Sequence, residues 1–205
     1  MTDSALSEQL ASASLAMSGW EVIAVALGIA YLLLAVRESL WCWYAAFGGT
    51  AIYLWLFWQV RLPMESALQL FYLAMAVYGW QQWRSGARSD GRTRPISRWP
   101  ARTHLFAIIT VLSASAVSGA LLQRYTDAAL PYLDSFTTWG SVLTTWMVAR
   151  KVLENWVYWL VIDSACIYLY LERGLLLTAV LFMVYLIIVV FGFFQWRQHY
   201  HAQSA

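Results

Sequence analysis

The chain has 205 residues, 61% of them hydrophobic and only 12% charged, with a formal net charge of +2. Soluble domains carry about 25% charged residues, so the composition excludes an ordinary soluble domain. The small net charge, without any basic stretch interleaved with aromatics, excludes a nucleic-acid binder. A helix crosses the hydrocarbon core with roughly 20 apolar residues, and segments of that kind take up most of the chain.

In chain order, residues 1–19 read as a polar tail rich in Ser and Ala, with no Lys or Arg to form the positive end of a signal peptide. Seven spans follow by hydropathy: Trp20–Val36, Leu40–Trp58, Ser66–Trp83, Leu105–Leu122, Leu133–Ala149, Leu153–Leu171 and Leu175–Trp196. The expected class is an all-α integral membrane protein. The fourth span carries Ser113-Ala114-Ser115-Ala116 and Ser118-Gly119-Ala120, small residues that let helices approach closely in lipid. Cys42 and Cys166 fall inside spans and read as small buried hydrophobes.

Basic residues orient the spans. Arg84, Arg88, Arg92, Arg94, Arg98 and Arg102 follow the third span, in a loop broken by Pro95 and Pro100. The positive-inside bias makes this loop cytoplasmic. Alternation then puts ten of the 13 Lys and Arg inside, with only Arg61, Arg124 and Arg173 outside. The N-terminus is expected outside and the C-terminus in the cytoplasm.

The chain repeats itself. A gapless shift of 113 residues aligns Arg37 with Arg150, Leu40 with Leu153, Trp43 with Trp156 and Tyr72 with Tyr185. It also superimposes Gly79-x-x-Gln82-Trp83-Arg84 on Gly192-x-x-Gln195-Trp196-Arg197. The implied organisation is a first three-helix repeat at 20–84, an Arg-rich loop at 85–103, a linker helix at 104–123, a second three-helix repeat at 132–197 and a tail at 198–205. One extra span between two three-span units makes the units parallel (3+1+3). Such repeats are a transporter plan with the substrate near the midplane; a duplicated receptor or scaffold is the alternative from another class.

The stretch Asn155-Trp156-Val157-Tyr158-Trp159-Leu160-Val161-Ile162-Asp163 carries the clearest chemistry. Trp156, Trp159 and Asp163 stand at i, i+3 and i+7, on one helical face. An acid at mid-membrane is costly and usually faces a cavity or a partner. Two indoles beside it could stack on a flat ring, with cation–π attraction for a charged one. The competing readings are an aromatic belt for Trp156 and interhelical hydrogen bonding for Asp163. Further candidates are Trp43, Thr50, Tyr53 and Trp58 in the second span, Gln69, Tyr72 and Tyr78 in the third, and Thr137, Thr138, Trp139, Thr144 and Thr145 in the fifth. Gly48-Gly49 reads as a close helix contact or hinge. No hydrolase, zinc-protease, P-loop or dinucleotide-binding motif is present, and no histidine lies deep in a span. No catalytic group and no cofactor are expected.

The run Ala149-Arg150-Lys151-Val152-Leu153-Glu154-Asn155-Trp156-Val157-Tyr158-Trp159 resembles the signature of the PnuC-like vitamin transporters. Leu68-Gln69-Leu70-Phe71-Tyr72-Leu73 and Tyr78-Gly79-Trp80-Gln81-Gln82-Trp83 are similar to it as well. The resemblance extends over all seven spans, and the family's 3+1+3 fold is related to that of SWEET sugar carriers. It implies a bacterial inner-membrane carrier of nicotinamide riboside, with thiamine or riboflavin taken by relatives. Uptake would be facilitated diffusion, with a cytoplasmic kinase trapping the vitamin, and the assembly a homotrimer. The family motif W-x-x-W-x-x-x-N ends here on Asp163, which keeps the acceptor and loses the amide donor. By resemblance Trp156, Trp159 and Asp163 contact the vitamin, with Asn155, Gln69, Tyr72, Trp43 and Thr138 completing the substrate-binding set.

Overall fold

A computed structural model describes residues 18–59, 63–85, 94–126 and 130–204. These residues form seven helices: α1 (Gly19–Val36), α2 (Trp41–Gln59), α3 (Pro63–Ser85), α4 (Ala101–Tyr125), α5 (Pro131–Ala149), α6 (Asn155–Glu172) and α7 (Leu176–Ser204). The tail expected at 1–19 lies outside the described residues as far as residue 17, as do Arg61, Arg88 and Arg92.

Local chemistry sets the helix ends. Ser18 caps α1 reciprocally: its Oγ accepts from the Glu21 amide, and the Glu21 carboxylate accepts from the Ser18 amide. Pro131 opens α5, where a missing N–H costs nothing. Gly174, at φ +71°, closes α6, and Leu175 N–H returns to the Tyr170 carbonyl. The α6 helix begins at Asn155, two residues after the expected start, because the Leu153 amide donates instead to the Ser97 carbonyl. At the other end of the chain, α7 runs through residues 198–204, which were expected as a tail. No Gly or Pro interrupts it there, and Gln203 Oε1 accepts from the Ile96 amide.

Six helices close a ring. Packing runs α1–α2–α3–α5–α6–α7 and back to α1, while α4 packs on α5 from outside. The two halves are related by a pseudo-two-fold axis along the ring, and the hydrogen bonds repeat with the 113-residue shift. Arg37, Glu38 and Ser39 N–H bond to Leu33, Ala35 and Leu34 carbonyls; Arg150, Lys151 and Val152 N–H bond to Trp146, Val148 and Met147. Glu38 and Lys151 both adopt left-handed backbone, at φ 54° and 51°. Three helices, Gly19–Val36, Ala101–Tyr125 and the seventh, are apolar and long enough to span a membrane by composition alone.

Candidate functional site

One end of the ring is sealed by tryptophans. Trp43 and Trp156 pack flat on Gly79 and Gly192, where an added Cβ would fall 2.3 Å and 2.6 Å from the indoles. Trp83 and Trp196 then cross between the halves. Trp83 Nε1 donates to the Val148 carbonyl at 3.2 Å, and Trp196 Nε1 to the Ala35 carbonyl at 3.0 Å. Val148 and Ala35 are themselves repeat equivalents. The four indoles form a row, Trp43–Trp83–Trp196–Trp156, with ring separations of 5.5, 6.1 and 5.4 Å. On the axis beside this row, Lys151 Nζ meets Glu38 Oε2 at 2.5 Å and lies 4.5 Å from the Trp83 ring centre. The other Glu38 oxygen pairs with His199 Nδ1 at 2.6 Å. Lys151 has no exposed surface. Burial pulls its ammonium below the usual lysine range, and the Glu38 carboxylate opposes that shift.

The segment before α4 closes over the same end. Ser97 N–H donates to the Lys151 carbonyl and its own carbonyl accepts from Leu153, a single parallel bridge. Arg98 Nε binds Glu154 at 2.8 Å, which raises the guanidinium's pKa. Arg94 binds the Gln82 side-chain oxygen.

Inside the ring lies a cavity of about 210 Å³. Its wall is aromatic and small-residue: Tyr31, Trp43, Tyr53, Tyr72 and Trp159, with hydroxyls from Thr50 and Thr145 and bare backbone at Gly28 and Gly49. Gly28 and Gly49 also let α1 and α2 approach, with Gly49 against the Ala24 carbonyl and Gly28. A larger cavity of about 460 Å³ lies outside the ring, between α4 and the α5–α6 pair, lined mostly by apolar side chains together with His104, Glu154 and Tyr158. Size does not choose between them. The ring cavity joins five aromatic side chains to threonine hydroxyls and open backbone, the combination a ligand site requires.

The sequence candidates divide accordingly. Trp159, Trp43, Tyr72, Thr50, Tyr53 and Thr145 line the cavity. Asp163 sits one turn beyond Trp159 on the same face of α6, 3% exposed and with no hydrogen bond or ion pair among the described residues, but it does not line the cavity. Trp156 belongs to the indole row instead. Asn155 is fully buried at the helix start, where Nδ2 donates to the Val152 carbonyl at 2.7 Å and Oδ1 has no partner. Gln69 and Thr138 are half-buried and do not line the cavity. Thr137 and Thr144 bond carbonyls of α5 itself, Trp139 holds Ser118 of α4, and Trp58 faces outward at 68% exposure. Tyr78 Oη accepts from Arg150. Sequence reasoning missed Tyr31, Gly28, Tyr185 and the Glu38–Lys151 pair. The 113-residue shift would have found that pair, since it sets an acid and a base at equivalent positions.

Comparison with known proteins gives a consistent result. The sequence model of the family described as nicotinamide mononucleotide transporter matches residues 18–198. The riboflavin/roseoflavin transporter RibM of Streptomyces davaonensis is 26% identical over 172 residues, 83% of this chain and 80% of that protein. The nicotinamide riboside transporter PnuC of Escherichia coli is 21% identical over 204 residues, 88% of this chain and 85% of that protein. The crystal structure of the vitamin B3 transporter PnuC has the same fold, with a TM-score of 0.71 at 19% identity, covering 96% of this chain and 88% of that one.

Proposed function

The chain belongs to the nicotinamide mononucleotide transporter family, and from that premise we propose that it carries nicotinamide riboside across the bacterial inner membrane by facilitated diffusion. It is a multi-pass membrane transporter and not an enzyme; the substrate, the mode of transport and the membrane are the parts proposed. The observation that carries the choice is Asp163, an acid at mid-span, 3% exposed and without a countercharge among the described residues. A pyridinium ring brings that countercharge. Trp159 and Trp43 offer it stacking faces, and Thr50, Thr145 and Tyr72 offer its ribose hydrogen bonds. Asn155, Gln69, Trp156 and Thr138 complete the set as supports of this wall rather than as its surface.

The Trp-sealed end, with Arg84, Arg98, Arg150 and Lys151 around it, is the cytoplasmic face under the positive-inside bias. The N-terminus is then outside. With no nucleotide site in the sequence, accumulation rests on a cytoplasmic kinase whose charged product no longer fits the cavity. The chain assembles as a homo-oligomer, a trimer.

Riboflavin is the second reading, favoured by the 26% identity to RibM. Thiamine, also cationic and aromatic, is the third. Calorimetry on the purified protein with the three vitamins side by side decides among them. Micromolar binding of nicotinamide riboside alone is the expected result, followed by flux in vesicles. Binding of riboflavin alone transfers the assignment.

A further inference from the structure

The larger cavity lies outside the ring and takes no part in the vitamin site. Among the described residues α4 packs on α5, and its hydrogen bond to α6 joins His104 Nδ1 and Tyr158 Oη at 2.9 Å. Beyond that pair a cleft separates the two helices, running along α4 from His104 to Leu112, about 12 Å at the helical rise. Its two ends differ. The deep wall is hydrocarbon, from Ile108, Leu112, Phe136 and Val161. Ile108 and Val161 are exposed, so the cleft opens on the surface that faces lipid in a membrane. The mouth holds His104, Tyr158 and Glu154. Arg98 stands beside it, with Nε on Glu154 at 2.8 Å and a side chain 58% exposed. The terminal nitrogens of Arg98 and the second ring nitrogen of His104 make no hydrogen bond among the described residues. The mouth is also the start of α4, where Pro100 supplies no side-chain cap and the first amides stay open.

We infer that this cleft binds an anionic phospholipid of the cytoplasmic leaflet, with one acyl chain between α4 and α6 and the phosphate at Arg98 and His104. An apolar cleft left empty forfeits dispersion contact along its whole wall. A vitamin is the wrong occupant, because the deep wall has no partner for its polar groups. A helix of a second copy is too thick: at about 10 Å across it fills roughly 400 Å³ per turn, and the cleft is about two turns long. A hydrocarbon chain is thin enough. A phospholipid, charged at one end and apolar over the rest, matches the cleft end for end. Charge then selects among phospholipids. Glu154 is taken up by Arg98 and the Trp99 amide, while the open start of α4 and Arg102 in its first turn add positive potential. Basic pockets between membrane helices on the cytoplasmic side favour anionic headgroups for this reason. The choice of leaflet rests on the orientation given above; the chemistry of the cleft does not.

The test is native mass spectrometry of the intact protein in neutral detergent, titrated with dioleoyl phosphatidylglycerol and, separately, with dioleoyl phosphatidylcholine. One phosphatidylglycerol should be held about fivefold more tightly than phosphatidylcholine, the worth of one basic residue near an anionic headgroup. Ile108→Trp fills the cleft from an exposed position and should lose that lipid, while Leu121→Trp, exposed on the same helix outside the cleft, should keep it. Arg98→Gln leaves the cleft open and should bring the two lipids to equal affinity; should the Ile108 variant misfold, this one still decides. Equal affinity of the wild type for both lipids, an unchanged preference in Arg98→Gln, a lipid retained by Ile108→Trp, or its loss from both tryptophan variants overturns the inference. So does an oligomer that Ile108→Trp breaks, which gives the cleft to a second copy. Vitamin binding is read separately by calorimetry, so failure of the lipid site leaves the vitamin reading intact.

Discussion

Lys151 and Glu38 meet on the pseudo-two-fold axis, each in left-handed backbone that costs about 1–2 kcal/mol for a residue with a Cβ. Replacing Lys151 with Met removes the cation from a site with no exposed surface and leaves the Glu38 carboxylate, 12% exposed, with His199 alone. Breaking a buried pair from one side costs about 3–5 kcal/mol, because the remaining charge loses its compensation. In a chain of this size that lowers the midpoint of thermal unfolding by roughly 6–20 °C. Glu38→Gln should also destabilise, since it takes the carboxylate away from a buried ammonium that lies beside Trp83 and Trp196. The double variant strands nothing, so it should recover most of the loss. The assay is a double-mutant cycle on detergent-solubilised protein, followed by tryptophan fluorescence, which the indole row beside the pair makes sensitive to this region. Losses that add to within about 0.5 kcal/mol would refute the reasoning, because independent sites behave that way and a coupled axial pair does not.

Gly79→Ala and Gly192→Ala should each destabilise the fold by about 1–3 kcal/mol through overpacking against Trp43 and Trp156, while Gly19→Ala, with nothing near its Cβ, should leave the midpoint unchanged. Trp156→Ala should lower stability by about 3–5 kcal/mol, whereas Trp159→Ala, at a half-buried position, should cost less stability and remove vitamin binding; calorimetry and thermal unfolding on the same samples separate the two. Asp163→Ala should abolish binding of a cationic vitamin with expression intact, and wild-type affinity in that variant would remove the acid from the site. Ser97→Pro deletes the amide that bonds the Lys151 carbonyl and should loosen the segment before α4, measured as faster proteolysis there.

The repeat was legible because both halves solve the same packing problem with the same residues. Gly79 and Gly192 are retained as seats for indoles, and Trp83 and Trp196 as cross-bonding donors, so G-x-x-Q-W-R reads twice. The membrane class was legible because hydrocarbon tolerates few charges over so many residues. The orientation of individual side chains was less so. Trp156, Trp159 and Asp163 share a face by spacing, yet seven residues of helix separate the first from the last by about 10 Å along the axis. The first three of those residues, about 4.5 Å, already part Trp156 in the indole row from Trp159 on the cavity wall.

The sequence by itself determined seven membrane spans, their duplication and the acid at mid-span, since hydropathy and period are properties of the chain taken one segment at a time. Which glycine meets which tyrosine, and which base meets which acid on the axis, was decided only in the tertiary structure. Those contacts join residues 113 and more positions apart, and they exist only once the two halves close into one ring.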